Sequence, residues 1–167
     1  GDGNWVGDAW VSEGSTLDDA GAGHADGNER YHYHATPFSL YTDPSTGHSV
    51  IIGYALDGFP IYGPYGYTTP TNSSSAITRM VSGYELRSIT DRTLLPDNST
   101  STPPGPAITA GGSFDLGTYI QDYEYTGSGT LDEYNGRYCY TPEYPTGTYA
   151  YFLSTDNAGD PAFPYII

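Results

Sequence analysis

After Arg30, four consecutive residues, Tyr31-His32-Tyr33-His34, alternate phenol and imidazole without a break. A period of two is the side-chain period of an extended strand, so this reading puts His32 and His34 on one face and Tyr31 and Tyr33 on the other. Two residue rises separate the imidazoles by about 6.6 Å at the backbone. Their ring nitrogens can therefore converge on one ion at the bond length of about 2.0–2.1 Å typical of zinc. The same spacing also suits a strand whose histidines face solvent while its tyrosines face a core.

The remaining chain is punctuated as a β protein. An apolar run from His48 to Leu56 is followed by Asp57-Gly58 and then by Phe59-Pro60-Ile61-Tyr62. An Asp-Gly pair between two β-rich runs predicts a hairpin with a type I′ turn. The first arm is apolar nearly throughout and reads as a central buried strand, whereas Pro60 moves the second arm to an edge. Asn135-Gly136 predicts a second hairpin between Leu131-Asp132-Glu133-Tyr134 and Arg137-Tyr138-Cys139-Tyr140. Further strands are expected around Tyr84-Glu85-Leu86-Arg87, over 119–125 (where a single helical turn also fits), over 148–153 and over 162–167. Residues 65–75 read as a surface loop. Thr148-Tyr149-Ala150-Tyr151-Phe152 echoes the alternation of the histidine stretch, and if the two strands were neighbours they would share a tyrosine layer.

No amphipathic helix of ten or more residues can be traced. The fold class expected is mainly β: a single compact domain of short, mostly antiparallel strands, sandwich-like or barrel-like, with long Gly/Pro/Ser/Thr loops and little helix. Residues 1–28 form an irregular acidic arm, and 29–167 the β domain, with an internal Pro/Ser/Thr-rich loop at 96–112. The core must lean on tyrosine, which supplies 18 residues against five Phe and one Met. Each buried phenol will need a hydrogen-bond partner.

Charge narrows the chemistry. The net charge is −15 and the five cationic side chains are all arginine. Nucleic acid and anionic membrane are poor partners for such a chain, and lysine chemistry is excluded. Cys139 is the single cysteine, which rules out an intrachain disulfide and a thiolate zinc cluster; its tyrosine flanks suggest a buried, inert thiol. No apolar run is long enough to span a membrane. The chain begins at Gly1 without Met and reads as a processed or excised segment. Lysine depletion and two sequons, at Asn72 and Asn98, point to a secreted or cell-surface protein with two candidate glycosylation sites.

The candidate metal ligands are His32 and His34, with His48 as the natural third imidazole and Asp57 completing the shell. Such nitrogen-rich ligation suits copper or zinc. Asp18, Asp19 and Asp26, on a loop that also carries His24, could hold calcium, although the ordered spacing of an EF-hand loop is missing; a solvated acidic loop is the alternative. Ser49 adjoins His48, but strand neighbours point opposite ways, and no nucleophile elbow is present.

The chain resembles the YHYH-domain family of secreted proteins. The resemblance is carried by Tyr31-His32-Tyr33-His34, His48-Ser49, Ile52-Gly53-Tyr54-Ala55-Leu56-Asp57-Gly58-Phe59-Pro60-Ile61-Tyr62-Gly63-Pro64, Gly83-Tyr84-Glu85-Leu86-Arg87, Asp122-Tyr123, Leu131-Asp132-Glu133-Tyr134-Asn135-Gly136-Arg137, Thr141-Pro142-Glu143-Tyr144-Pro145 and Phe163-Pro164-Tyr165. It implies a shared fold and an extracellular setting, and no particular chemistry.

The function expected is therefore a non-enzymatic extracellular structural module. It would be a subunit or domain of a surface assembly or filament, self-associating or packed on neighbouring domains, with a histidine-centred metal site. A metal-dependent enzyme using zinc or copper, a ligand-binding domain and a carbohydrate-binding module that stacks glycans on exposed aromatics are the alternatives.

Overall fold

The computed structural model describes residues 3–19, 23–37, 39–44 and 46–165. Among them the protein is mainly β, with ten short strands and a single α-helix, of four residues. The strands are β1 (Gly23–Ala25), β2 (Tyr31–Tyr33), β3 (Ile51–Tyr54), β4 (Pro60–Tyr62), β5 (Tyr65–Tyr67), β6 (Ile77–Arg79), β7 (Tyr84–Leu86), β8 (Tyr123–Tyr125), β9 (Gly136–Cys139) and β10 (Thr148–Phe152). They form one four-stranded sheet, β3-β4-β10-β9, and three two-stranded ribbons, β1-β2, β5-β6 and β7-β8. Every pairing is antiparallel except β4 with β10, and no barrel closes.

The chain divides into two compact units, one of residues 1–16 with 84–126 and the other of 17–83 with 127–167. Residues 1–28 carry helix α1 (Ala9–Ser12), a 3₁₀ turn at Gly14–Thr16 and strand β1. Asp8 starts the helix by accepting the Trp10 N–H on its carboxylate at 2.9 Å.

The first unit is built on a buried ion pair. Arg92 and Asp122 are both fully enclosed, with Nη2 2.7 Å from Oδ2 and Nε 2.8 Å from Oδ1. The other guanidinium hydrogens go to the carbonyls of Pro106, Phe114 and Asp115. The guanidinium also lies 4.7 Å from the centre of the Tyr119 ring and 5.8 Å from that of Trp5. Trp5 donates its indole N–H to Ser101 Oγ at 2.9 Å, so the Pro/Ser/Thr-rich loop, free of strand and helix, is anchored in this unit. Residues 119–125 adopt both expected conformations in turn: a 3₁₀ turn at Ile120–Asp122 and then β8.

In the second unit, alternate residues of β10 and β9 bury Ala150, Phe152 and Cys139 against Tyr62, Met80 and Leu131. Burial of each large apolar side chain stabilises the fold by about 1.5–3 kcal/mol. Tyr62 is fully buried, and its hydroxyl lies 2.8 Å from both Thr141 Oγ1 and Glu143 Oε2, as a tyrosine-rich core requires. Cys139 is free and buried, and burial pushes its thiol pKa up.

Several sequence expectations are corrected. β3 is an edge strand with Tyr54 exposed, and β4 is the internal one. Pro60 is tolerated there because it is the first residue of the strand, where a missing N–H costs least. The Asp57-Gly58 hairpin forms, but only Gly58 has positive φ (86°), so its turn is not type I′. Asn135-Gly136 does not join two paired strands: residues 131–134 form a turn, and β9 pairs with β10. Residues 65–75 open with β5, which pairs with β6 across the loop. Within 162–167 the described residues make a turn rather than a strand, and Ile166 and Ile167 lie outside the described residues. β2 and β10 belong to different sheets and share no tyrosine layer.

A common loop explains much of this geometry. Residues 26–30, 55–59, 132–136 and 156–160 each close with the first N–H on the fifth carbonyl and the fourth N–H on the first carbonyl. The fourth residue is left-handed in each: Glu29, Gly58, Asn135 and Gly159. This is a type I turn followed by an αL residue, whose twist suits hairpin arms. Asp26, Asp132 and Asp156 each use one carboxylate oxygen to accept the N–H groups two and four residues ahead. That Asx geometry fixes the turn before any tertiary contact forms.

Candidate metal centre

The site is built on the β1-β2 hairpin, whose register pairs Gly23 with Tyr33, His24 with His32 and Ala25 with Tyr31. The turn between the strands is held by Asp26, which accepts Arg30 Nε at 2.9 Å and Nη2 at 2.6 Å as well as the Asn28 and Arg30 amides. Those bonds, the Arg30 guanidinium first, hold the Asp26 carboxyl below the ordinary range. On one face, the Tyr31 ring lies across Gly23, where an added Cβ would come within 2.9 Å of it and 2.5 Å of the His32 carbonyl oxygen. The Tyr31 hydroxyl donates to Asp18 Oδ2 at 2.5 Å, and this carboxylate raises the phenol pKa to about 12.

The opposite face gathers three half-buried histidines. His24 lies across from His32, and His34, two residues on, falls on the same side. Ring centroids are 4.8 Å apart for His24 and His32, 4.9 Å for His24 and His34, and 4.6 Å for His32 and His34. His34 Nε2 stands 2.9 Å from His24 Nε2 and 3.0 Å from His32 Nε2. One ligating nitrogen from each ring lies within 4.8 Å of the other two, and this is the single His/Cys/Asp/Glu group able to hold a metal among the described residues.

The donor set fits a cation. His32 Nδ1 is 3.2 Å from the Arg30 carbonyl oxygen, which can only accept, so the ring proton sits on Nδ1 and Nε2 presents a lone pair inward. His34 Nε2 carries either a proton, which it can donate to only one of these two neighbours, or a lone pair, which would face that of His32. A metal ion accepts all three lone pairs together. The Nδ1–H to carbonyl bond is also the outer-shell arrangement that fixes the tautomer of a ligating histidine.

The expected pair, His32 and His34, is thus brought together, whereas the other two expected ligands are not part of it. His48 is buried in the second unit among the rings of Tyr62, Tyr67 and Phe152, with Nδ1 2.8 Å from the Ser49 carbonyl oxygen. Burial pushes its pKa below the ordinary value, with the Ser49 carbonyl and the carboxylates of Glu143 and Asp43 opposing. Asp57 is exposed on the β3-β4 turn and accepts the Tyr151 hydroxyl at 2.5 Å and the Phe59 amide at 3.1 Å, bonds that lower its pKa. Asp18 and Asp26 are engaged with Tyr31 and Arg30, and with Asp19 they form no common ligand group. Asn72 and Asn98 are both exposed on turns.

His24 is the member of this histidine group that the sequence reading placed only on the acidic loop. An Asp-Gly pair, Asp26-Gly27, opens the turn that sets His24 opposite His32, but it stands first and second in that loop whereas Asp57-Gly58 stands third and fourth in its own. No described helix is long and apolar enough to cross a membrane. The family model described as "YHYH protein" matches residues 1–162 of the chain. No curated protein and no solved structure matches it.

Proposed function

The chain belongs to the YHYH protein family, and on that premise we propose that it is a non-enzymatic structural module of an extracellular surface assembly, with a divalent transition metal clipping its β1-β2 hairpin. The observation that carries this reading is the approach of His24 Nε2 and His32 Nε2 to 2.9 and 3.0 Å from His34 Nε2 on one face of the hairpin, a set of imidazole nitrogens close enough to hold one ion. A two-stranded hairpin is marginal by itself, and a metal that binds only the folded ribbon adds its binding free energy to folding. Lysine depletion and exposed sequons support the extracellular setting.

Two nitrogens at about 2.05 Å from one metal and about 90° apart are separated by about 2.9 Å, whereas a tetrahedral angle separates them by about 3.3 Å. The spacings of 2.9 and 3.0 Å lie within reach of either geometry, and three imidazoles suit copper or zinc. Elemental analysis after dialysis against each metal tests the site, with roughly one ion per chain expected. Equal metal content in a His32→Ala, His34→Ala double variant would refute it. Light scattering with and without copper tests assembly, and strictly monomeric behaviour at every concentration would count against that part.

A second reading is a metal-dependent enzyme, supported by the count of three protein ligands on a half-exposed face, which leaves a coordination position for water. Azide perturbing the paramagnetic resonance of the copper adduct would favour it. An unchanged spectrum would leave the structural role.

A further inference from the structure

A cavity of about 230 Å³ in the second unit, remote in composition from the histidine centre, is lined by Tyr41, Asp43, Pro64, Tyr65, Thr155 and Gly159. We infer that it binds a small alkylammonium cation, held by the Asp43 carboxylate against the rings of Tyr41 and Tyr65.

The carboxylate is built in rather than loosely placed. At Gly63 an added Cβ would fall 2.6 and 3.0 Å from the two Asp43 oxygens and 2.9 Å from Ser49 Oγ, so the group is seated against bare backbone. Ser49, whose Oγ lies beside the same point, is buried, and its Oγ accepts the Tyr65 amide at 2.9 Å. Even so, Asp43 Oδ1 is enclosed with no hydrogen-bond partner. An unsatisfied buried carboxylate oxygen is costly; this one has no accessible surface, so a cation in the cavity acts on the charge of the carboxylate without touching that atom.

No cation of the chain fills that role. Arg79, paired with Tyr65 across β5-β6, gives its guanidinium to the Thr155 carbonyl and, at 2.7 Å, to Asn157 Oδ1. His48 is the one charged group that acts on Asp43, and burial favours its neutral form. Asp43 therefore faces its cavity without a counter-charge, and burial raises its pKa accordingly.

The walls select the class of guest. One carboxylate and two phenol rings suit an ammonium ion, which takes a charge-assisted bond on one side and ring faces on the other. Calcium would need six to eight oxygens, and the volume falls below the range of about 300–1,000 Å³ usual for drug-sized ligands.

The test is titration of the full chain with methylammonium and tetramethylammonium, followed by NMR, with tert-butanol as the neutral control. Saturable binding of the cations is expected, with intermolecular Overhauser effects from their methyl protons to the Tyr41 and Tyr65 rings and none for tert-butanol. Asp43→Asn should weaken binding by about tenfold or more while leaving metal binding at the histidines unchanged. The proposal is overturned by non-saturable binding, by Overhauser effects to other residues, by equal affinity in the folded Asp43→Asn variant, or by calcium displacing the ammonium ion. The Overhauser contacts in the wild-type chain decide the matter if that variant does not fold.

Discussion

His24 and His32 are cross-strand partners in the β1-β2 register, with ring centroids 4.8 Å apart, so the histidine cluster belongs to a pairing and not to one stretch of sequence. It follows that His24→Ala should lower copper affinity as much as His32→Ala does, by about a hundredfold or more. His48→Ala should leave it unchanged. Competition with a chromophoric chelator measures all three.

Breaking the Arg92–Asp122 pair leaves an enclosed charge without its partner. Asp122→Ala is expected to destabilise the protein by about 3–5 kcal/mol, read as a lowered midpoint in urea. The effect should be much larger than that of Arg30→Ala, which breaks the solvent-screened Asp26–Arg30 pair.

Asn135 combines two roles that substitutions can separate. Its Nδ2 donates to the Phe152 carbonyl and Ser154 Oγ, both at 2.8 Å, and its backbone has φ 58°. Asn135→Gly keeps the backbone and loses the bonds, at a cost of about 2–3 kcal/mol. Asn135→Ala should cost about 1 kcal/mol more for the left-handed backbone. Thermal unfolding of the two variants gives the difference.

His48 and Asp43 should tilt the pH dependence of stability in opposite senses. The folded pKa of His48 is lowered, so its contribution is complete above the ordinary value of 6.5 and is lost as pH falls through and below it. That of Asp43 is raised, so its contribution is complete below the ordinary 3.8 and is lost as pH rises through the folded value. In metal-free protein, His48→Gln should flatten the acid limb below pH 6.5, and Asp43→Asn should raise stability at neutral pH. Urea titrations across the pH range check both.

Gly136 and Tyr149 show why only part of the fold can be read from the chain. Asn135-Gly136 marks a turn correctly, but the strand that β9 joins is β10, whose Tyr149 ring lies where a Cβ at Gly136 would stand. The turn is a local preference; the partner, the next strand in the chain, is chosen by packing across the connection at 140–147. The run from Ile51 looks central because it is apolar, yet β3 ends up at an edge, since Pro60 lacks only a hydrogen bond that the start of β4 does not need.

The alternation at 31–34 by itself determined that His32 and His34 would share a face, because the period of two is a property of any extended chain. The β class was likewise determined by the turn residues and the lack of helical periodicity. Only the tertiary structure decided the third histidine of the cluster. His24 reaches the pair because the Asp26 turn sets a register, and His48 is withdrawn because Tyr62, Tyr67 and Phe152 close around it. Register and burial depend on contacts between segments, which spacing within one segment does not encode.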